Sequence, residues 1–167
     1  TEFITHDNFF AFQSVHYAAI HTISVMIAIE RFDKGNLHFD TTYGVCDDTD
    51  LWIRLGLAGK LIFVKKRLAH YRQHSSNITG NRLKVQLDVI SLLEKNYERV
   101  AKRLANNERV SLKTRISKHY SDLGWAYRKT YNPLKSIPAY IMAWKWSGEI
   151  KHLTNAAKSL FPARTAT

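Results

Sequence analysis

Beyond Asn81 the chain repeats its apolar residues every three or four positions. Leu83, Leu87, Ile90, Leu93, Tyr97, Val100 and Leu104 form one stripe, which predicts an amphipathic helix. Asn106 and Asn107 interrupt it. A second helix runs through Ile116, Tyr120, Leu123 and Tyr127 to a turn at Thr130-Tyr131-Asn132-Pro133. A third carries Ile137, Tyr140, Ile141 and Trp144, and a weaker segment ends at Phe161-Pro162. Before Asn81 the period changes. Residues 19–29 (AIHTISVMIAI) are rich in Ile, Val and Thr and predict a buried strand. Residues 31–40 carry Gly, Asn and Asp and read as a loop. A short helix follows, with Leu51, Trp52, Leu55 and Ala58 on one face and a stop at Gly59-Lys60. LIFVKK and RLAHYR are short strand candidates. The polar stretch QHSSNITGN marks a boundary. The expected architecture is α/β over residues 1–80, followed by an all-α helical tail over 81–167.

Charge follows the same division. Residues 1–81 hold 8 Lys/Arg and 8 Asp/Glu, whereas residues 82–167 hold 17 and 6, so the whole net charge of +11 lies in the second part. A length of 167 residues suits one domain, or a small domain with an appendage. A single cysteine, Cys46, excludes an intrachain disulfide framework and a cysteine-based zinc cluster, and fits a reducing compartment. The longest apolar run, residues 17–29, is 13 residues long and contains His21. A membrane-spanning helix needs about 20 residues. No basic-then-apolar signal segment opens the chain.

The candidate chemistry lies in Asp47, Asp48 and Asp50, three acids within four positions. Carboxylates in a first helical turn are stabilised by its free N–H groups and the macrodipole, by roughly 0.3–1 kcal/mol each. One or two acids would satisfy a helix start. Crowded carboxylates repel, as in sites that hold a carboxylate with a raised pKa. A carboxylate at a helix start facing a cleft suits a general base that takes a proton from a hydroxyl.

The ordered set Asp47-Asp48, Asp50-Leu51-Trp52, Arg54-Leu55 and Gly59, then Tyr71-Arg72, His74 and Asn77, resembles the second half of the catalytic domain of family 2 glycosyltransferases. Ser24-Val25-Met26-Ile27 and Leu37-His38-Phe39-Asp40 resemble that family's upstream strand and turn, so the likeness covers roughly residues 15–80. It implies the acceptor-side, C-terminal portion of a GT-A fold with a few strands. Asp48 matches the family's catalytic base. It would deprotonate an acceptor sugar hydroxyl attacking the anomeric carbon of a nucleotide-sugar, with inversion. Asp47 would help hold the acceptor, although the commoner Glu is one methylene longer. Asp50, Trp52 and Arg54 would support the acceptor side or the helix itself: Asp50 would cap the helix or orient Arg54, and Trp52 would stack on a sugar face or, as its place on the apolar stripe favours, pack in the core. His74 and Arg72 match positions at the donor diphosphate, and His74 would ligate a divalent Mn or Mg ion. Their other readings are a capping histidine and an arginine paired to the acidic helix. The family's main metal motif, Asp-x-Asp, and its donor-binding half have no counterpart in this chain. The chain is therefore expected to be a piece of a longer enzyme that binds a nucleotide-sugar poorly and transfers nothing alone. Asn77-Ile78-Thr79 also reads as a glycosylation sequon.

In the tail, Tyr120-x-x-Leu123-Gly124-x-x-Tyr127 with Ser136, Tyr140 and Ala143 resembles the spacing of a tetratricopeptide-type hairpin. Arrays need about three repeats, so a generic helix pair is the other reading. Trp125, Tyr127, Trp144 and Trp146 lie among Arg128, Lys129, Lys135 and Lys145. That mixture suits an anionic membrane surface, or a plain solvated face. It would also suit nucleic acid, but no nucleic-acid-binding motif is present and none is expected as a partner. The expected partners are a nucleotide-sugar donor, a glycan or lipid-linked acceptor in bacterial polysaccharide or envelope biosynthesis, and a membrane surface. The expected place is the cytoplasm, peripheral to the inner membrane face. The reading of a different class is a non-enzymatic helical interaction or membrane-associated module carrying a glycosyltransferase remnant.

Overall fold

The computed structural model describes residues 3–7, 9–16, 20–33, 35, 37–70, 72 and 82–161. In chain order the elements are β1 (Phe3–His6), α1 (Phe9–His16), α2 (Asp47–Ala58), β2 (Leu61–Val64), α3 (Arg82–Val100), α4 (Asn106–Lys129), α5 (Pro133–Ser147) and α6 (Lys151–Lys158). β1 and β2 pair antiparallel, with Phe3 opposite Val64 and His6 opposite Leu61.

This architecture corrects the α/β expectation and with it the portion of a GT-A fold. Among the described residues there are six α-helices and one sheet of two strands. The segment expected as a buried strand forms no ladder. Residues 20–29 are irregular backbone with tight 3-10 turns at Thr22–Ser24 and Ile29–Arg31. Local bonds take the place of strand pairing. The Ser24 N–H (2.9 Å) and hydroxyl (2.7 Å) both donate to the His21 carbonyl. Ser and Thr often divert backbone in this way. Ile20, Val25 and Ile27 stay half-buried against Trp52 and its neighbours, while Met26 is 98% exposed. The second strand candidate also fails, since residues 67–70 and 72 are irregular. β1, the one partner of β2 among the described residues, is four residues long. The ladder therefore ends at Val64, where the Lys66 N–H turns back to the Val64 carbonyl at 2.8 Å.

The core is helical and crosses residue 80. Ala11 of α1, Ile53 of α2, Val89, Leu92 and Leu93 of α3, and Leu112 and Ile116 of α4 form one buried cluster with Tyr43, Cys46, Val100 and Leu104. Full burial of such side chains contributes about 1.5–3 kcal/mol each. Phe9, Leu51, Trp52 and Leu55 form a second cluster, against which Ile20, Val25, Ile27, Phe32 and Leu37 pack. Gly56 lets α1 lie close on α2, since a Cβ there would sit 2.8 Å from the Phe10 backbone nitrogen.

The helical periods read from the sequence correspond to α3, α4, α5 and α6. Asn106 and Asn107 open α4, capped by Glu108, which accepts the Ala105 N–H at 2.8 Å. α4 and α5 form an antiparallel hairpin, shown by Ser117 donating to the Ala143 carbonyl (2.8 Å) and Ser136 to the Gly124 carbonyl (2.9 Å). A Cβ at Gly124 would stand 3.0 Å from the Tyr140 ring, so the absence of a side chain sets how closely the helices cross. α6 then returns along α5, its His152 beside Ser117 and Ser159 beside Ser136. No helix among the described residues is long and apolar enough to cross a membrane.

Candidate functional site

The acidic cluster is positioned by a loop pinned to α3. Asp40 accepts the Thr42 N–H (3.1 Å) and hydroxyl (2.6 Å) and pairs with Lys95. The Lys95 ammonium, with Thr42, holds the Asp40 carboxyl well below the usual range. The Gly44 N–H donates to Asp88 of α3 at 2.9 Å. Cys46 then enters the core, where burial, with Asp88, Asp48 and Asp47 nearby, pushes its thiol up to about 12. A thiol so raised stays protonated at neutral pH and is no nucleophile.

The three acids that follow have different environments. Asp50 has no exposed surface. Its carboxylate accepts Arg54 Nε at 2.8 Å and Arg99 Nη1 of α3 at 2.6 Å. Arg54 also donates to the His38 carbonyl. Asp50 and Arg54 thus join α2, α3 and the preceding loop, and both are structural. Asp48 is half-buried. Its Oδ1 accepts the Thr49 N–H (2.6 Å) and hydroxyl (3.2 Å), and its Oδ2 accepts the Thr22 hydroxyl at 3.3 Å. Asp47 is half-buried and makes no hydrogen bond or ion pair among the described residues. Both carboxylates stand at the positive end of α2.

Trp52 is buried with Phe9, Leu51 and Leu55, and its indole N–H donates to the Ile20 carbonyl at 3.1 Å. It is a core residue and presents no face to a sugar. Arg72 is exposed beyond β2. His74 and Asn77 lie outside the described residues, as does Tyr71. Among the described residues no group of three or more His, Cys, Asp and Glu is placed to hold a metal ion. Asp50 is taken by two guanidinium groups, and His74, the expected metal ligand, lies outside the described residues.

The 20–26 segment that brings Thr22 to Asp48 also walls a trough of about 500 Å³. Its opposite wall is β2 with Lys66, Leu68 and Ala69, and its lining is mainly apolar. Sequence reasoning missed Thr22, Arg99, His38 and this trough. Thr22 was hidden inside an expected strand, and nothing local links Arg99 to an acid 49 positions earlier. No protein-family model matches the chain, and no curated protein or solved structure matches it.

Proposed function

We propose that this chain activates the acceptor in a sugar transfer from a nucleotide-sugar, in the biosynthesis of a glycan or polysaccharide. The reading rests on the residues at the start of α2 and not on a fold. Its main support is the division among the acids: Asp50 is closed off by Arg54 and Arg99, while Asp48 is only half-buried at a helix N-terminus and has no cationic partner among the described residues. In the reaction, Asp48 takes the proton of an acceptor hydroxyl. The oxygen bonds to the anomeric carbon as the bond from that carbon to the diphosphate breaks, and the nucleoside diphosphate leaves. A single displacement inverts that carbon. Asp47 stands beside Asp48 and would bind acceptor hydroxyls. Arg72 and His74 are assigned to the diphosphate on resemblance alone, and no step is routed through a metal. Of the two acceptor classes, the apolar trough next to Thr22 favours one carrying a lipid.

The test is transfer from a panel of nucleotide-sugars to lipid-linked and lipid-free acceptors, using the product of the whole reading frame with Mg²⁺ or Mn²⁺ supplied. Asp48→Asn should lower kcat about a hundredfold or more, the usual contribution of a general base. Activity close to wild type would remove Asp48 from the mechanism. The helical core shared across residue 80 favours a second reading, a non-enzymatic interaction module. A folded protein that neither binds nor turns over any nucleotide-sugar would select it.

A further inference from the structure

One end of the helical tail is an apolar tip ringed by positive charge. The C-terminus of α4, the N-terminus of α5 and the C-terminus of α6 meet there. Ser136 lies 2.7 Å from Ser159, and the Tyr131 hydroxyl reaches the Leu160 carbonyl at 3.4 Å. Leu134 is 87% exposed, and Tyr131, Leu160, Phe161 and Trp125 are exposed beside it. Lys129 stands over the Trp125 ring at 5.3 Å and Lys135 over the Tyr127 ring at 5.6 Å. Arg128, half-buried and 5.9 Å from the Trp125 ring, and the exposed Lys158 in the last turn of α6 lie at the same end. Residues 123–148 and 150–161 contain no Asp or Glu.

We infer that this tip docks on an anionic lipid bilayer, with Leu134, Tyr131, Leu160 and Phe161 entering the interface and the four cations meeting lipid headgroups. Charge complementarity argues for this occupant, because an acid-free cationic rim around apolar side chains suits anionic headgroups over acyl chains. The apolar residues lie at helix ends, Tyr131 before α5, Leu134 in its first turn, and Leu160 and Phe161 after α6, and all four are exposed. Trp146 is not part of this surface, since its indole N–H donates to Glu94 at 3.2 Å and its ring meets Tyr97 edge-on. The inference does not depend on the sugar-transfer reading.

Flotation of the chain with vesicles of phosphatidylcholine, with and without phosphatidylglycerol, tests it. Binding should require phosphatidylglycerol and weaken with salt. Leu134→Asp, and separately Lys129→Glu with Lys135→Glu, should each lower partitioning about tenfold. Lys102→Glu with Arg103→Glu makes the same change in net charge at the opposite end of α4. That helix is 24 residues long, so its ends lie about 36 Å apart. This control should bind like the wild type. Equal loss in the control, or unchanged binding by Leu134→Asp, would overturn the proposal. So would self-association without lipid that Leu134→Asp abolishes, because the tip would then be a protein contact.

Discussion

Asp50 and Asp48 lie two positions apart in different surroundings. Asp50 is wholly buried between Arg54 and Arg99, so removing its carboxylate leaves two guanidinium groups short of a partner. Breaking a buried pair in this way costs about 3–5 kcal/mol. Asp50→Ala should lose about that much in urea unfolding, and Asp47→Ala should stay within about 0.5 kcal/mol of wild type. His152 gives a second residue-scale prediction. Ser117 spends its proton on the Ala143 carbonyl, so the imidazole donates from Nε2, and its buried Nδ1 has no partner among the described residues. Burial, then Lys151, lowers its pKa. His119 shifts the same way, through burial and then Arg115. The unfolded chain therefore takes up these protons first. Stability is complete above the unfolded value of about 6.5 and falls as pH drops below it. The urea midpoint should decline between about pH 7.5 and about pH 5.5, and less steeply in His152→Gln. At this scale the sequence exposed the acidic crowding, because adjacent like charges are visible locally. The pairing of Asp50 with Arg99 was not visible, because it is made only when α2 packs on α3.

Elements were legible where their own period decides them. The three-to-four-residue stripes of α3, α4 and α5 are long, and each helix buries part of its stripe against a neighbour, whereas Leu83 and Leu87 of α3 and Trp144 of α5 stay exposed. Residues 20–29 were misread because β-branched composition makes a strand only where another strand stands beside it. Here no strand stands beside residues 20–29 among the described residues, and 3-10 turns take up local donors. α1 was not anticipated, for it is two turns long and depends on packing against α2 at Gly56. Gly56→Ala places a methyl 2.8 Å from the Phe10 backbone nitrogen. Ala improves helix propensity by about 1 kcal/mol, but overpacking against backbone costs about 1–3 kcal/mol. A net loss of stability is expected, with slower-protected α1 amides exchanging faster in hydrogen exchange. Unchanged exchange in α1 would show that the α1–α2 crossing does not depend on Gly56.

At the scale of the whole molecule, the uneven charge and the continuous core point in different directions. Positive charge divides the chain near residue 81, yet the largest core cluster draws on α1 and α2 as well as α3 and α4. The neutral part therefore carries its acidic site on a helical base, and the basic part ends in an apolar tip. The central claim is that the acidic cluster divides its work, with Asp50 holding the fold and Asp48 taking a proton. Asp48→Asn in the whole reading-frame product tests this most directly, with unfolding free energy and transfer rate measured on the same preparation. The account predicts stability within about 1 kcal/mol of wild type and transfer lowered about a hundredfold or more. Wild-type transfer with a large loss of stability would contradict it, for Asp48 would then be another structural carboxylate.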